Sequence, residues 1–283
     1  MRNNQRRLGR KTSQAAHPPA STPPLAAAAN MSFAVPTEFV ELPSQGKFYP
    51  EDHPLHQQET VEIRFMTAKD EDIISSESLI KKGLVIERLL GSLLVEDIDP
   101  STLLLGDRTA ILISARISGY GAEYDLTYTC SGCYVTSDSK YDLKSAVIED
   151  NCLDSVFLKR NNLLYDSNTQ TFDVTLPASG VVIGLKLLNG RDEKSLSAED
   201  KHTHDRAVTS TLNMIVAKVN DETDAGYIND FIEAMPVKDS KFIRELYPNL
   251  APRVRLLGNF VCPKCYSEQE LEVPLSAGFF WPG

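Results

Sequence analysis

The chain has 283 residues, 42% of them hydrophobic, and a formal net charge of −10. That length supports one large domain or two ordinary ones with a real apolar core. No window approaches the roughly 20 consecutive apolar residues that cross a bilayer, which excludes a helical membrane span, and the acidic balance argues against binding nucleic acid through its phosphates.

Residues 1–30 differ from the rest of the chain. They hold five basic residues (Arg2, Arg6, Arg7, Arg10 and Lys11), no acidic ones, and a run of Pro, Ala and Ser. Such a stretch cannot bury enough apolar surface to offset its ordering entropy, so it is predicted to be a disordered tail. It lacks the continuous apolar core of a secretory signal. Its Arg-rich, acid-free character leaves an organelle transit peptide as an alternative, and Met31 offers a second start site. Residues 31–283 keep 24 of the 29 basic residues against all 39 acidic ones, a net of −15, which reads most simply as a solubilising surface.

The body opens on VELPSQG (residues 40–46), followed by KFYP (47–50) and a Pro- and His-bearing loop. A strand, VEIRF, and a polar turn then lead into the acidic helix start TAKDED, where carboxylates suit the first turn of a helix. Ile86, Leu89, Leu90, Leu93 and Leu94 recur at helical spacing and predict one apolar helix face. GDRTAILISARISGYG (106–121) reads as a second helix, with Asp107 as its N-cap, Ala110, Ile111, Ile113 and Ile117 inside and Gly119 as its stop. Strand-like YDLTYT leads from it into CSGC (130–133) and a further strand.

The same order then returns. VTLPASG (174–180) repeats VELPSQG 134 positions later, and KLLNGRDEK (186–194) faces RFMTAKDED (64–72) at an offset of 122. TSTLNMIVAKV predicts a helix with Leu212, Ile215, Val216 and Val219 inside; a break at Pro236 and another helix come next, and CPKC (262–265) stands 132 positions after CSGC. The fold expected is α+β and internally duplicated. Residues 31–150 form a first repeat, 151–171 a linker and 172–283 a second repeat, each of antiparallel strands plus helices.

Four of the five cysteines, Cys130, Cys133, Cys262 and Cys265, make two CxxC pairs, each between segments that read as strands. A thiolate at each end of a two-residue turn is one knuckle of a zinc ribbon, and two knuckles complete a closed tetrahedral site. Disulfide or redox use is the alternative, although a redox CxxC should open a helix. A single iron in place of zinc is a further one. The 128 intervening residues far exceed the roughly 15 to 20 of an ordinary ribbon, so each repeat is expected to supply one knuckle of a split site holding one structural zinc per chain. Cys152 lacks a partner at metal spacing and reads as a small buried residue.

No phosphate loop, dinucleotide fingerprint, nucleophile elbow or HExxH helix occurs. His17 lies in the tail, His53 and His56 in the Pro-rich loop, and His202 with His204 in a polar stretch that reads as a solvated helix start. No catalytic residue is assigned. The candidate partner-binding residues are the aromatics of short, Pro-bounded segments: Phe48 and Tyr49 in KFYP, and Phe279, Phe280 and the sole Trp, Trp281, in GFFWPG (278–283). Such side chains either dock on their own body or anchor in a partner.

VELPSQGKFYP, MTAKDED, GDRTAILISARISGYG, CSGC, CPKC and the final FFWP together resemble the baseplate family of T4-type contractile-tailed phages, over roughly residues 33–283. The resemblance implies a non-enzymatic hub subunit or hub-assembly factor. Its partners would be other tail and baseplate hub proteins, and its place the virion and, during assembly, the host cytoplasm. The competing functions are a zinc-ribbon nucleic-acid or transcription-associated module, which the acids Asp138, Asp142, Glu268, Glu270 and Glu272 on the ribbon arms oppose, and an enzyme with an unfamiliar site.

Overall fold

A computed structural model describes residues 35–199, 207–273 and 277–280. The expected tail, with His17, the pair His202 and His204, and Trp281 lie outside the described residues. β1 (Thr37–Glu41) and β2 (Thr60–Arg64) pair as an antiparallel hairpin, with Val40 opposite Val61. Three helices come next, α1 (Ala68–Ser75), α2 (Glu77–Lys82) and α3 (Val85–Leu93), and then the long α4 (Leu105–Tyr120). α4 leads into the hairpin β3 (Glu123–Thr129) and β4 (Thr136–Asp142).

Residues 151–171, expected as a linker, carry structure. After β5 (Val147–Glu149) come α5 (Ser155–Arg160) and β6 (Leu164–Asp166). β6 is the edge of a four-stranded antiparallel sheet that continues through β7 (Thr171–Thr175), β8 (Val182–Lys186) and β9 (Val216–Val219). In the chain, α6 (Gly190–Glu199) and α7 (Ala207–Ile215) precede β9, and α8 (Ala225–Glu233) and α9 (Val237–Leu250) follow it. β10 (Arg253–Arg255) turns back to pair with β5, and β11 (Leu257–Val261) with β12 (Glu268–Glu272) forms the last hairpin.

The two stretches expected as repeats are not separate bodies. Residues 35–283 form one compact unit, and one core runs from Val40 through Leu89, Ile111 and Phe172 to Phe280. Main-chain bonds tie the start of α4 to the β8–α6 turn: the Leu105 N–H donates to Leu188 O (3.0 Å) and the Gly190 N–H to Leu103 O (3.1 Å). Arg108 of α4 adds an ion pair with Glu193 of α6 at 2.9 Å.

Two buried carboxylates each hold an LPxxG turn. Asp107, the third residue of α4, accepts from the Ser44 N–H (3.0 Å) and hydroxyl (2.6 Å) in LPSQG. Asp239, the third residue of α9, accepts from the N–H groups of Ala178 (2.7 Å) and Ser179 (3.0 Å) in LPASG. At the helix starts, Arg64 ion-pairs with Asp70 and Lys186 with Asp192, each at 2.7 Å. Asp70 also accepts from the Thr67 N–H, and Asp192 from that of Asn189, each three residues upstream. Burial opposes ionisation of Asp70, but the Arg64 guanidinium and hydrogen bonds from Ser92 and Thr67 hold its carboxyl well below the usual range.

Gly46 takes φ +68° in the LPSQG turn, and a Cβ there would lie 2.4 Å from Leu55 O and from the Gln58 nitrogen. Both the backbone conformation and the space reject a side chain. Gly46→Ala should cost about 2–4 kcal/mol, read from the denaturant midpoint; an unchanged midpoint would mean that the loop at 42–59 yields.

Three local expectations are corrected. Asp107 does not cap α4: the helix begins at Leu105, and the carboxylate turns away to Ser44 and Tyr49. Gly119 is not its stop either, since the helix runs through it to Tyr120. The helix expected through Val219 ends at Ile215, and its β-branched continuation becomes β9 because β8 offers an unpaired edge there.

Candidate metal centre

Each CxxC is the turn of a two-stranded hairpin, and the two turns share one backbone pattern. The Tyr134 N–H donates to Cys130 O at 2.9 Å and the Cys130 N–H to Val135 O at 3.0 Å. The Tyr266 N–H donates to Cys262 O at 2.9 Å and the Cys262 N–H to Ser267 O at 3.0 Å. Closing these turns places Tyr134 at φ +56° and Tyr266 at φ +58°, the left-handed region that favours glycine.

The hairpins meet at their tips. The Sγ atoms of Cys130, Cys133, Cys262 and Cys265 all lie within 4.8 Å of one another, with Cys130 to Cys265 at 3.6 Å and Cys133 to Cys262 at 3.5 Å. These are free thiols. A tetrahedron with metal–sulfur bonds of about 2.3 Å has edges of roughly 3.8 Å, so the donor set fits a small thiophilic cation. Cys130 and Cys262 are fully buried, whereas Cys265 is exposed.

Neighbouring groups support the arrangement. The Ser267 hydroxyl lies 3.3 Å from Cys130 Sγ and 3.2 Å from Cys265 Sγ. Gln269 of β12 reaches across the hairpins, its Oε1 accepting from the Ser131 N–H and hydroxyl, each at 3.1 Å. The Tyr128 hydroxyl donates to Val261 O at 3.1 Å, and the Tyr128 and Phe260 rings pack at 5.1 Å. The Ser267 hydroxyl and the Cys133 and Gly132 amides bring the Cys130 thiol down to about 5, and Ser267 holds Cys265 below its ordinary value. Although the Val135 amide favours its thiolate, burial and the neighbouring thiols push Cys133 up to about 12. Four sulfurs this close together form a donor set that a thiophilic cation could bind with loss of their protons. Cys152 is buried elsewhere in the core, where burial raises its thiol to about 12.

The aromatic segments take the other course open to them and dock on the chain's own body. Phe48 is buried against Tyr165 (5.1 Å) and Phe172 (5.3 Å), which carries the β1–β2 loop onto the four-stranded sheet. Tyr49 is also buried, its hydroxyl donating to Asp107 (2.7 Å) and accepting from the Leu104 N–H (3.0 Å). Phe279 and Phe280 are buried in a short 3-10 turn (Ala277–Phe280), and the Arg116 guanidinium donates to Phe279 O at 2.9 Å. All four rings are packed into the chain's own core, where their apolar area is removed from water. Tyr134, 81% exposed, and Tyr266, 78% exposed, are the most solvent-exposed rings among the described residues, ahead of Phe39 at 70%. The sequence signal for them was the Tyr directly after each CxxC.

His53 stacks on Tyr49 at 4.3 Å and His56 bonds to Tyr49 O, so both serve the loop that holds Tyr49. Among the described residues no helix is long and apolar enough to cross a membrane.

Taken together, the geometry defines an α+β protein whose two CxxC hairpins converge on a tetrathiol cluster. Residues 35–281 match the family described as T4 bacteriophage base plate protein. The chain belongs to that family, and with it to the structural proteins of a phage tail baseplate, whose work is done in contact with other baseplate proteins. No curated protein and no solved structure gives a match.

Proposed function

We propose that this chain is a non-enzymatic hub subunit or hub-assembly factor of a contractile tail, built from two tandem copies of one unit and closed by a single structural zinc. Convergence of the four cysteines is the observation that carries the reading. Each hairpin supplies two thiolates, so the ion joins segments 129 to 135 residues apart and offers no open position for chemistry. Matching carboxylate pairs, Asp107 with Asp239 and Asp70 with Asp192, support the tandem origin. Family membership supports the baseplate setting.

Elemental analysis of protein purified without chelator should return one zinc per chain; iron in its place, or no metal, overturns the assignment. Mass spectrometry of purified virions then separates the two roles. A hub subunit persists in mature particles and in the cytoplasm only until assembly, whereas an assembly factor stays behind with the host cell contents.

A further inference from the structure

Tyr134 and Tyr266 occupy positions that folding alone does not favour. Each sits at a left-handed backbone angle, φ +56° and +58°, where glycine or asparagine is the low-energy choice and a ring-bearing residue is penalised. Each leaves its ring in water, at 81% and 78% exposure, so burial returns nothing for that penalty. The same residue stands at the same place in both knuckles, directly after Cys133 and Cys265, and the knuckle backbone holds both rings on rigid turns. Exposed aromatics on backbone-fixed turns are suited to anchoring a binding surface, since the turn itself need not be ordered on docking.

The surroundings select the partner. Strands β3, β4, β11 and β12 carry seven carboxylates, all exposed, against one cation, Lys140, which is itself ion-paired with Glu123. Asp138 and Glu270 hold matching outward positions on β4 and β12, and Lys264 is the single cation on the two knuckle turns. Exposed tyrosines on a hairpin pair rich in carboxylates attract guanidinium and ammonium groups, through cation–π contact and through charge.

We propose that the knuckle end of this protein is a docking surface for an Arg/Lys-bearing segment of another baseplate protein, with Tyr134 and Tyr266 as its anchors. The inference takes the assembly role proposed above as given. Its test uses the full, metal-loaded chain against an array of peptides tiling the other tail and baseplate proteins of the same phage, each made with its native Arg and Lys and again with Gln in their place. Native cationic peptides should bind, their Gln versions should not, and rising salt should weaken the signal. Tyr134→Asn with Tyr266→Asn should lower affinity at least about tenfold, and Asp138→Asn with Glu270→Gln should also lower it. The asparagine pair should keep its metal and melt no lower than the parent, because asparagine suits the left-handed angle.

A lower melting point for that pair would mean that the tyrosines serve folding, and would overturn the proposal. Binding that survives the pair, or that ignores the Gln replacement, overturns the surface and leaves the assembly role standing. An array without signal counts against both. Self-association of the parent that the pair abolishes would assign the surface to a second copy instead.

Discussion

Replacing Cys130 and Cys262 together by serine is expected to abolish metal binding and to leave the chain unable to reach its native fold at ordinary temperature. Both thiols are fully buried, and each belongs to a different hairpin. Loss of the ion removes on the order of 10 kcal/mol of metal-linked stabilisation, comparable with the whole stability of an ordinary domain, about 5–15 kcal/mol. A serine pair that melts with the parent would refute the clamp. Cys152→Ala is the control, since that thiol is buried away from the cluster and should cost only about 1 kcal/mol. Acid should reproduce the loss in the parent. Protons compete with the ion for thiolates, so metal affinity, and the stability it supplies, falls as pH falls.

Asp107→Ala should cost about 3–5 kcal/mol. The carboxylate is fully buried and receives three donors, the Ser44 amide, the Ser44 hydroxyl and the Tyr49 hydroxyl. Truncation leaves all three without an acceptor in a place where water cannot easily reach them. Asp239→Ala removes an acceptor from two amides only and should cost less. Chemical denaturation of both variants checks the order, and equal losses would contradict it. The pH signature has a definite sign. Burial raises the Asp107 carboxyl above its ordinary 3.8, although hydrogen bonds from Ser44 and Tyr49 pull the other way. A raised folded value means that the native state holds the proton longer, so this group's contribution falls as pH rises from the unfolded value through the folded one. Asp107→Asn removes that slope, and a slope unchanged in the variant would assign it to another group.

Much of the fold and of the four-cysteine cluster is legible in the sequence, for physical reasons that can be named. The offset of 122 aligns Arg64 with Lys186 and Asp70 with Asp192, and these residues form like ion pairs at like helix starts. Short-range chemistry of that kind is written in the chain. So is the CxxC turn, because two thiols on a two-residue loop leave few backbone choices. Asp107 reads as a cap because a carboxylate beside a helix start has two uses, and the partner that decides between them, Ser44, lies 63 residues away. Val216 and Val219 show the same limit: their spacing fits a helix face, and only the open edge of β8 makes them a strand. The aromatics are harder still. Nothing in KFYP reveals that Phe48 meets Phe172, a contact 124 residues distant, whereas the tyrosine after each CxxC stands in plain view but is less conspicuous than the richer aromatic runs.

The separation of the two knuckles also sets a timetable. Cys130 leaves the ribosome 135 residues before the cysteine it faces, Cys265. At about 5–20 residues per second that is a wait of roughly 7 to 30 s, far longer than a helix or hairpin needs to form. During that interval the early CxxC can present only two thiolates to an ion and holds it weakly. On the zinc and assembly roles proposed above, tight coordination requires both halves to be made and brought together, so metal retention would distinguish finished chains from truncated ones.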